Sequence, residues 1–171
     1  MTVGLSNVNT IEMKKFTLII LLSYSFGTLS AQSPADCPAN LSIFAEFAKV
    51  KNYDSAYAPW LEVTTHCPEL NEATYIYGER ILNHKIKNNE DNAEFKTMLM
   101  PLYDDWLTYF PTDRRGISQQ GKILSAKAQS MFEHETAPLA EIYAIFDKAY
   151  VSDVESFNNP KALYNYFKTL Y

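Results

Sequence analysis

Glycine is scarce, with five in 171 residues, and two of these, Gly4 and Gly27, fall in the first 31. No Asn-Gly or Asp-Gly pair occurs, and no sustained stretch alternates apolar with polar residues, which argues against a fold built from tight β-hairpins. Cysteine is limited to Cys37 and Cys67, without a Cys-x-x-Cys redox motif or enough thiols for a zinc knuckle. The three histidines, His66, His84 and His134, stand singly, and none belongs to a His-Glu-x-x-His or comparable ligand spacing. Gly-x-Ser-x-Gly, phosphate-loop and dinucleotide fingerprints are also missing. The expectation is a chain with no catalytic residues, no metal and no cofactor.

Two clusters come nearest to chemistry. In Glu133-His134-Glu135, neighbours on a helix point in different directions and converge poorly on one ion, so a solvated turn is the expectation. Asp104-Asp105 beside Trp106 offers paired carboxylates and an aromatic platform for a sugar. Glycoside hydrolysis needs carboxylates that flank a bond at defined separation, and consecutive residues of one helix seldom do. A small hydrolase using Asp104 or Glu133 therefore stands as a minor alternative.

Met13-Lys14-Lys15, the largely apolar Phe16 to Phe26 and the small-residue run Gly27 to Ala31 have the layout of a secretory signal peptide cleaved near Ala31/Gln32. A membrane-spanning helix is the competing reading, but this apolar core is about half of the roughly 20 residues a bilayer requires. Residues 1–12 precede the basic start and carry no Lys or Arg, so the expectation is that translation starts at Met13 and that the first twelve residues are an upstream extension. Cys37 follows Pro34-Ala35-Asp36 and does not match a lipoprotein cleavage site. The mature protein is expected to be periplasmic or secreted, without stable membrane insertion.

Loss of residues 1–31 removes Glu12, Lys14 and Lys15, leaving 13 basic against 19 acidic side chains and a net charge near −6. That balance argues against nucleic acid, whose phosphates draw clusters of Lys and Arg, and equally against anionic lipid. Residues 32–171 are enough for one domain with a real core.

Apolar residues recur at three- and four-residue steps, as in Ile43, Phe44, Phe47 and Val50, which predicts an all-α chain. The first pair of helices is expected over about 39–51 and 55–67, with Asp54 as N-cap of the second and Pro59 kinking it. Cys37 and Cys67 then meet at the open end of this hairpin. In an oxidising compartment a disulfide is the leading expectation and a pair of buried free thiols the alternative. A second pair begins after Pro68, with Tyr77, Gly78 and Ile81 about 34 residues beyond Ile43, Phe44 and Phe47. The amide-rich Asn83 to Asp91 stretches it, so Pro111 closes it late. Ile123, Leu124, Ala128 and Phe132 start a third pair, completed by Leu139, Ile142, Tyr143, Phe146 and Ala149. Asn158-Asn159-Pro160 opens a last helix with an apolar stripe of Leu163, Tyr166, Phe167 and Leu170. Because no polar cap follows that stripe, the chain reads as a fragment or early-terminated form of a longer array. The alternative is that the helix packs back on the third pair.

The order Ile43, Phe44, Phe47, Tyr53, Ala56, Trp60, Val63, Pro68 resembles one tetratricopeptide repeat; Tyr75 to Pro111 is a looser copy, and the likeness fades beyond it. Departures are Lys51 at the usual turn glycine and large Phe44 at a position usually small. Together with the leader, Lys51-Asn52-Tyr53, Pro59-Trp60, Cys67-Pro68 and Tyr77-Gly78, the chain looks like exported repeat proteins of the Bacteroidota. The resemblance implies antiparallel helix pairs stacked as a short tetratricopeptide-like solenoid of about six to seven helices. It also implies a non-catalytic adaptor or scaffold of the cell envelope that binds a protein or peptide partner in a groove. The groove positions it carries over are Leu41, Ala45, Ala48 and Lys49, then Tyr75, Glu79, Leu82 and Asn83; ordinary surface or packing roles are equally compatible with these residues. A carbohydrate-binding helical protein linked to glycan uptake is the alternative function.

Overall fold

The structure, a computed structural model, describes residues 36–171. The signal peptide read over residues 1–31 and the start at Met13 lie outside the described residues. Seven helices follow in order: α1 (Cys37–Lys49), α2 (Tyr53–His66), α3 (Ala73–Asn88), α4 (Ala93–Tyr109), α5 (Gln120–His134), α6 (Leu139–Ser152) and α7 (Pro160–Lys168). Among the described residues the only extended pairing is an isolated bridge between Thr112 and Ser118 in the α4–α5 loop. The chain is all-α, as its periodicity predicts, and its helices stack as successive pairs. None of the described helices is long and apolar enough to cross a membrane.

Local chemistry accounts for most helix ends. Asp36 caps α1 by accepting from Ala39 N at 3.2 Å. At its other end Lys51 N donates to Ala48 O (3.0 Å) and Asn52 N to Phe47 O (2.9 Å), the paired bonds of a Schellman turn. This turn needs a left-handed residue, and Lys51 supplies it at φ 61° where glycine is the usual choice. The N-cap of α2 is Asn52, whose side chain accepts from Ser55 N at 3.3 Å, two positions earlier than expected. Asp54 sits in the first turn of α2, and its carboxylate reaches across to Lys85 (2.6 Å) and His84 (3.3 Å) on α3. Pro59 and Pro101 both lie inside their helices.

The sulfurs of Cys37 and Cys67 lie 2.02 Å apart with Cα atoms at 6.3 Å, joining the start of α1 to the end of α2. That linkage closes the antiparallel hairpin at its open end. On α1 the inward side chains are Phe44 and Ala48, both buried, whereas Ile43, Phe47 and Val50 are exposed. The core face is thus rolled around the helix from the stripe the spacing predicts, because among the described residues α1 packs only against α2 and α3. Ala48 accordingly belongs to the core and not to a groove. Against this hairpin lies α3. Trp60 Nε1 donates to Thr74 O at 2.8 Å, and a Cβ placed on Gly78 would stand 2.6 Å from that same nitrogen. Gly78 therefore admits the indole of the preceding pair.

Two apolar clusters form the interior. The first draws on α1 to α4 and includes Phe44, Trp60, Tyr75, Leu82, Leu99 and Trp106; the second joins α5 to α7 through Leu124, Met131, Ile142, Phe146 and Ala162. They meet on α5, whose consecutive residues Ile123 and Leu124 belong one to each. The start of α5 has no side-chain cap from its own N-cap residue. The α6–α7 loop serves instead: Asp153 accepts from Gly121 N (3.3 Å) and Ser156 Oγ from Lys122 N (3.0 Å). Asn159 caps α7 at Lys161 N and Ala162 N, as its place before Pro160 predicts. On α7, however, the face turned inward carries Ala162, Asn165 and Tyr166, while Leu163, Phe167 and Leu170 face outward. The expected apolar stripe is split, with Tyr166 alone on the inner side.

Candidate functional site

Glu79 and Asn83 follow Glu72 by seven and eleven positions, whole numbers of helical turns that align the three along one face at α3. Opposite them runs α5. Gln119 Nε2 donates to Glu72 Oε1 at 2.9 Å near the start of both helices, and His134 Nε2 lies 2.8 Å from Asn83 Oδ1 near their ends. The helices are therefore parallel and tied by side chains at each end. Their Cα atoms nevertheless stay more than 8 Å apart, whereas those of α1 approach α3, and those of α5 approach α7, within that distance. Large side chains from α4 reach into the gap. Trp106 Nε1 donates to Glu72 Oε1 (3.3 Å) and Tyr103 OH to Glu79 Oε1 (3.0 Å).

What remains is a cavity of about 290 Å³. Glu79, Trp106, Lys122, Ser125 and Ala126 line it, and Ser156, Asn158 and Asn159 from the α6–α7 region complete it. Lys122 leans over the Trp106 indole, its Nζ 5.1 Å from the ring centroid, 2.7 Å from Gln119 Oε1 and 3.7 Å from Glu72 Oε1. Tyr75 stacks on Trp106 at 6.2 Å. Burial raises the Glu79 carboxyl above its ordinary value, against the opposing hydrogen bond from Tyr103. The Tyr103 phenol is held protonated, by burial first and by the Glu79 charge second. Burial also pushes the His134 imidazole below its usual value, partly offset by Glu133.

Of the groove residues implied by the repeat resemblance, Glu79 lines this cavity, and Asn83 ties α3 to α5 at the far end of the cleft. Tyr75 and Leu82 are fully buried core side chains, and the Tyr75 hydroxyl is spent on Pro68 O at 2.9 Å. Burial takes both out of a ligand-lining role. Leu41 and Ala45 pack partly buried against the first cluster. Lys49 is exposed at the end of α1, paired with Glu46 at 2.6 Å, and is not among the lining residues. Glu72, Trp106, Lys122 and Asn158 escaped sequence reading as cleft residues. Trp106 carried a signal as an aromatic beside acids, and Asn158 as part of a helix-opening triplet; Lys122 carried none.

The Asp104-Asp105 pair diverges. Asp104 meets Lys127 on α5 at 2.6 Å, while Asp105 opens on a separate, largely apolar slot of about 360 Å³ between α2 and α4. Glu133 meets Lys161 at 2.5 Å. Among the described residues no three His, Cys, Asp or Glu side chains gather as a metal site. The fold and this cleft define an all-α protein of stacked helix pairs with a polar cavity between two parallel helices. Comparison with models of known families, with curated proteins and with solved structures finds no match to this chain.

Proposed function

We propose that this protein is a non-catalytic adaptor or scaffold of the bacterial cell envelope, built on tetratricopeptide-like helix pairs, that binds a protein or peptide segment in the α3–α5 cleft. The observation that carries this reading is the gap between the two parallel helices, tied at both ends and left open over an aromatic and amide-rich cavity. Such a cavity accepts one side chain of a segment laid along the helices, and its amides serve both donors and acceptors of a peptide. The leader-like N-terminal sequence and the acidic composition support an exported protein whose partner is neither nucleic acid nor anionic lipid.

Ala126 is partly exposed and lines the cavity, so an Ala126→Trp substitution fills it without removing a buried core group. Peptides selected against the purified protein by random display are expected to lose about tenfold or more in affinity for this variant, measured by isothermal titration. Circular dichroism would check that the variant keeps its helices. Unchanged affinity in a folded variant would place the binding surface elsewhere.

A further inference from the structure

The charges around the cavity do not balance. Glu72 accepts from Trp106 and Gln119 and has Lys122 at 3.7 Å. Glu79 has a single hydrogen bond, from the uncharged Tyr103 hydroxyl to Oε1. Among the described residues no Lys, Arg or His nitrogen forms an ion pair with it. Glu79 is partly buried and lines the cavity, and a carboxylate so placed without an ion-pair partner is a candidate for completion by a ligand cation. Lys122 sits over the Trp106 indole and acts on Glu79 only through its field, without forming an ion pair.

We propose that the Glu79 end of the cleft receives a primary alkylammonium group, supplied by a lysine side chain of the bound segment. This inference rests on the peptide-binding reading above and adds its selectivity. Three features of the geometry favour an ammonium over a neutral group. Tyr103 holds Oε1, and among the described residues the second carboxylate oxygen has no hydrogen-bond partner, which suits a compact cationic donor. The cavity, at about 290 Å³, has room for a single extended side chain. Asn158 lines the same cavity, and its side-chain carbonyl is an acceptor suited to a second ammonium hydrogen.

Protonation behaviour agrees with this geometry. Burial raises the Glu79 carboxyl, Arg80 and Lys122 lower it, and Glu133 raises it. A carboxyl raised in the folded state binds its proton more tightly there than in the unfolded chain. Its contribution to stability is therefore full below the unfolded value and is lost as pH rises through the folded one. A cation seated on Glu79 would restore what is lost, so lysine binding should strengthen as pH rises through that transition.

Glu79→Gln separates this role from a structural one, because the amide oxygen still accepts from Tyr103 while the charge is gone. The variant is expected to melt higher than the wild type at neutral pH and to show a flatter dependence of stability on pH. Ac-Gly-Ala-Lys-Ala-Gly-NH2 should bind the wild type about tenfold more tightly than its Lys→Gln counterpart, and Glu79→Gln should erase the difference. The third probe is n-butylammonium. If it raises the melting temperature only when Glu79 is present while neither peptide binds, the ammonium site stands and the peptide reading fails. If both peptides bind equally to both proteins, segment binding stands and the selectivity for lysine is overturned. A Glu79→Gln variant less stable than the wild type overturns the proposal as well, since Glu79 would then be a structural group satisfied in place.

Discussion

Lys51 adopts φ 61° at the end of the first helix, a conformation in which a β-carbon crowds its own backbone. The Schellman bonds around it and the short span to Asn52 hold it there. Lys51→Gly is expected to stabilise the protein by about 0.5–1 kcal/mol in denaturant unfolding, because the residue is exposed and nothing else depends on its side chain. Gly121 presents the opposite case. A Cβ there would stand 2.0 Å from the Asp153 carbonyl oxygen, so the approach of the α6–α7 loop to the start of α5 requires glycine. The loop's caps on Gly121 N and Lys122 N depend on that approach.

Among elements, the α1–α2 hairpin is the one held covalently. A hairpin that buries mainly Phe44, Ala48, Ala56, Trp60 and Val63 has too small an interior to persist alone. Its packing on α3 and the Cys37–Cys67 linkage supply the difference. For a closed loop of this length, reduction should lower unfolding free energy by about 3–4 kcal/mol on the loop-entropy model. Parallel urea titrations with and without dithiothreitol measure it. A change well below 1 kcal/mol would mean that the reduced, unfolded chain retains hairpin structure. The α3–α5 pair contrasts with this hairpin, since side chains rather than backbone packing set its spacing, which leaves the cleft open.

At the scale of the molecule, the two clusters share α5, with Ile123 facing one and Leu124 the other. Met100 and Leu107 of α4 touch both clusters and are the remaining apolar bridge. Leu124→Ala should cost about 2–4 kcal/mol and leave a cavity in the second cluster. Hydrogen exchange is expected to accelerate in α6 and α7 more than in α1 and α2, because the first cluster keeps all its members. Uniform acceleration along the chain would instead show that the two clusters unfold as one unit.

Helical periodicity, the Asn159-Pro160 start of α7 and the paired cysteines were legible in the sequence because each rests on contacts within a turn or two, or on a single covalent bond. By itself the sequence determined the all-α class and the succession of helix pairs, and it brought Cys37 and Cys67 to one end of the first hairpin; the structure joined them. Roll angle was not legible wherever apolar residues cover more than one face: on α1 the structure chose Phe44 and Ala48 over Ile43 and Phe47, and on α7 Ala162 and Asn165 over Leu163 and Phe167. The choice depends on which neighbours exist. The N-cap of α2 went to Asn52, directly after the left-handed Lys51, while Asp54 lies in the first turn and meets Lys85 and His84 some thirty residues away. The cleft was least legible of all. Glu79 and Asn83 were groove positions implied by the repeat resemblance, but the cavity between α3 and α5 is completed by Trp106, Lys122 and Asn158. Only tertiary structure brings these three elements together, since the distances that define a cavity are set by packing rather than by any local pattern.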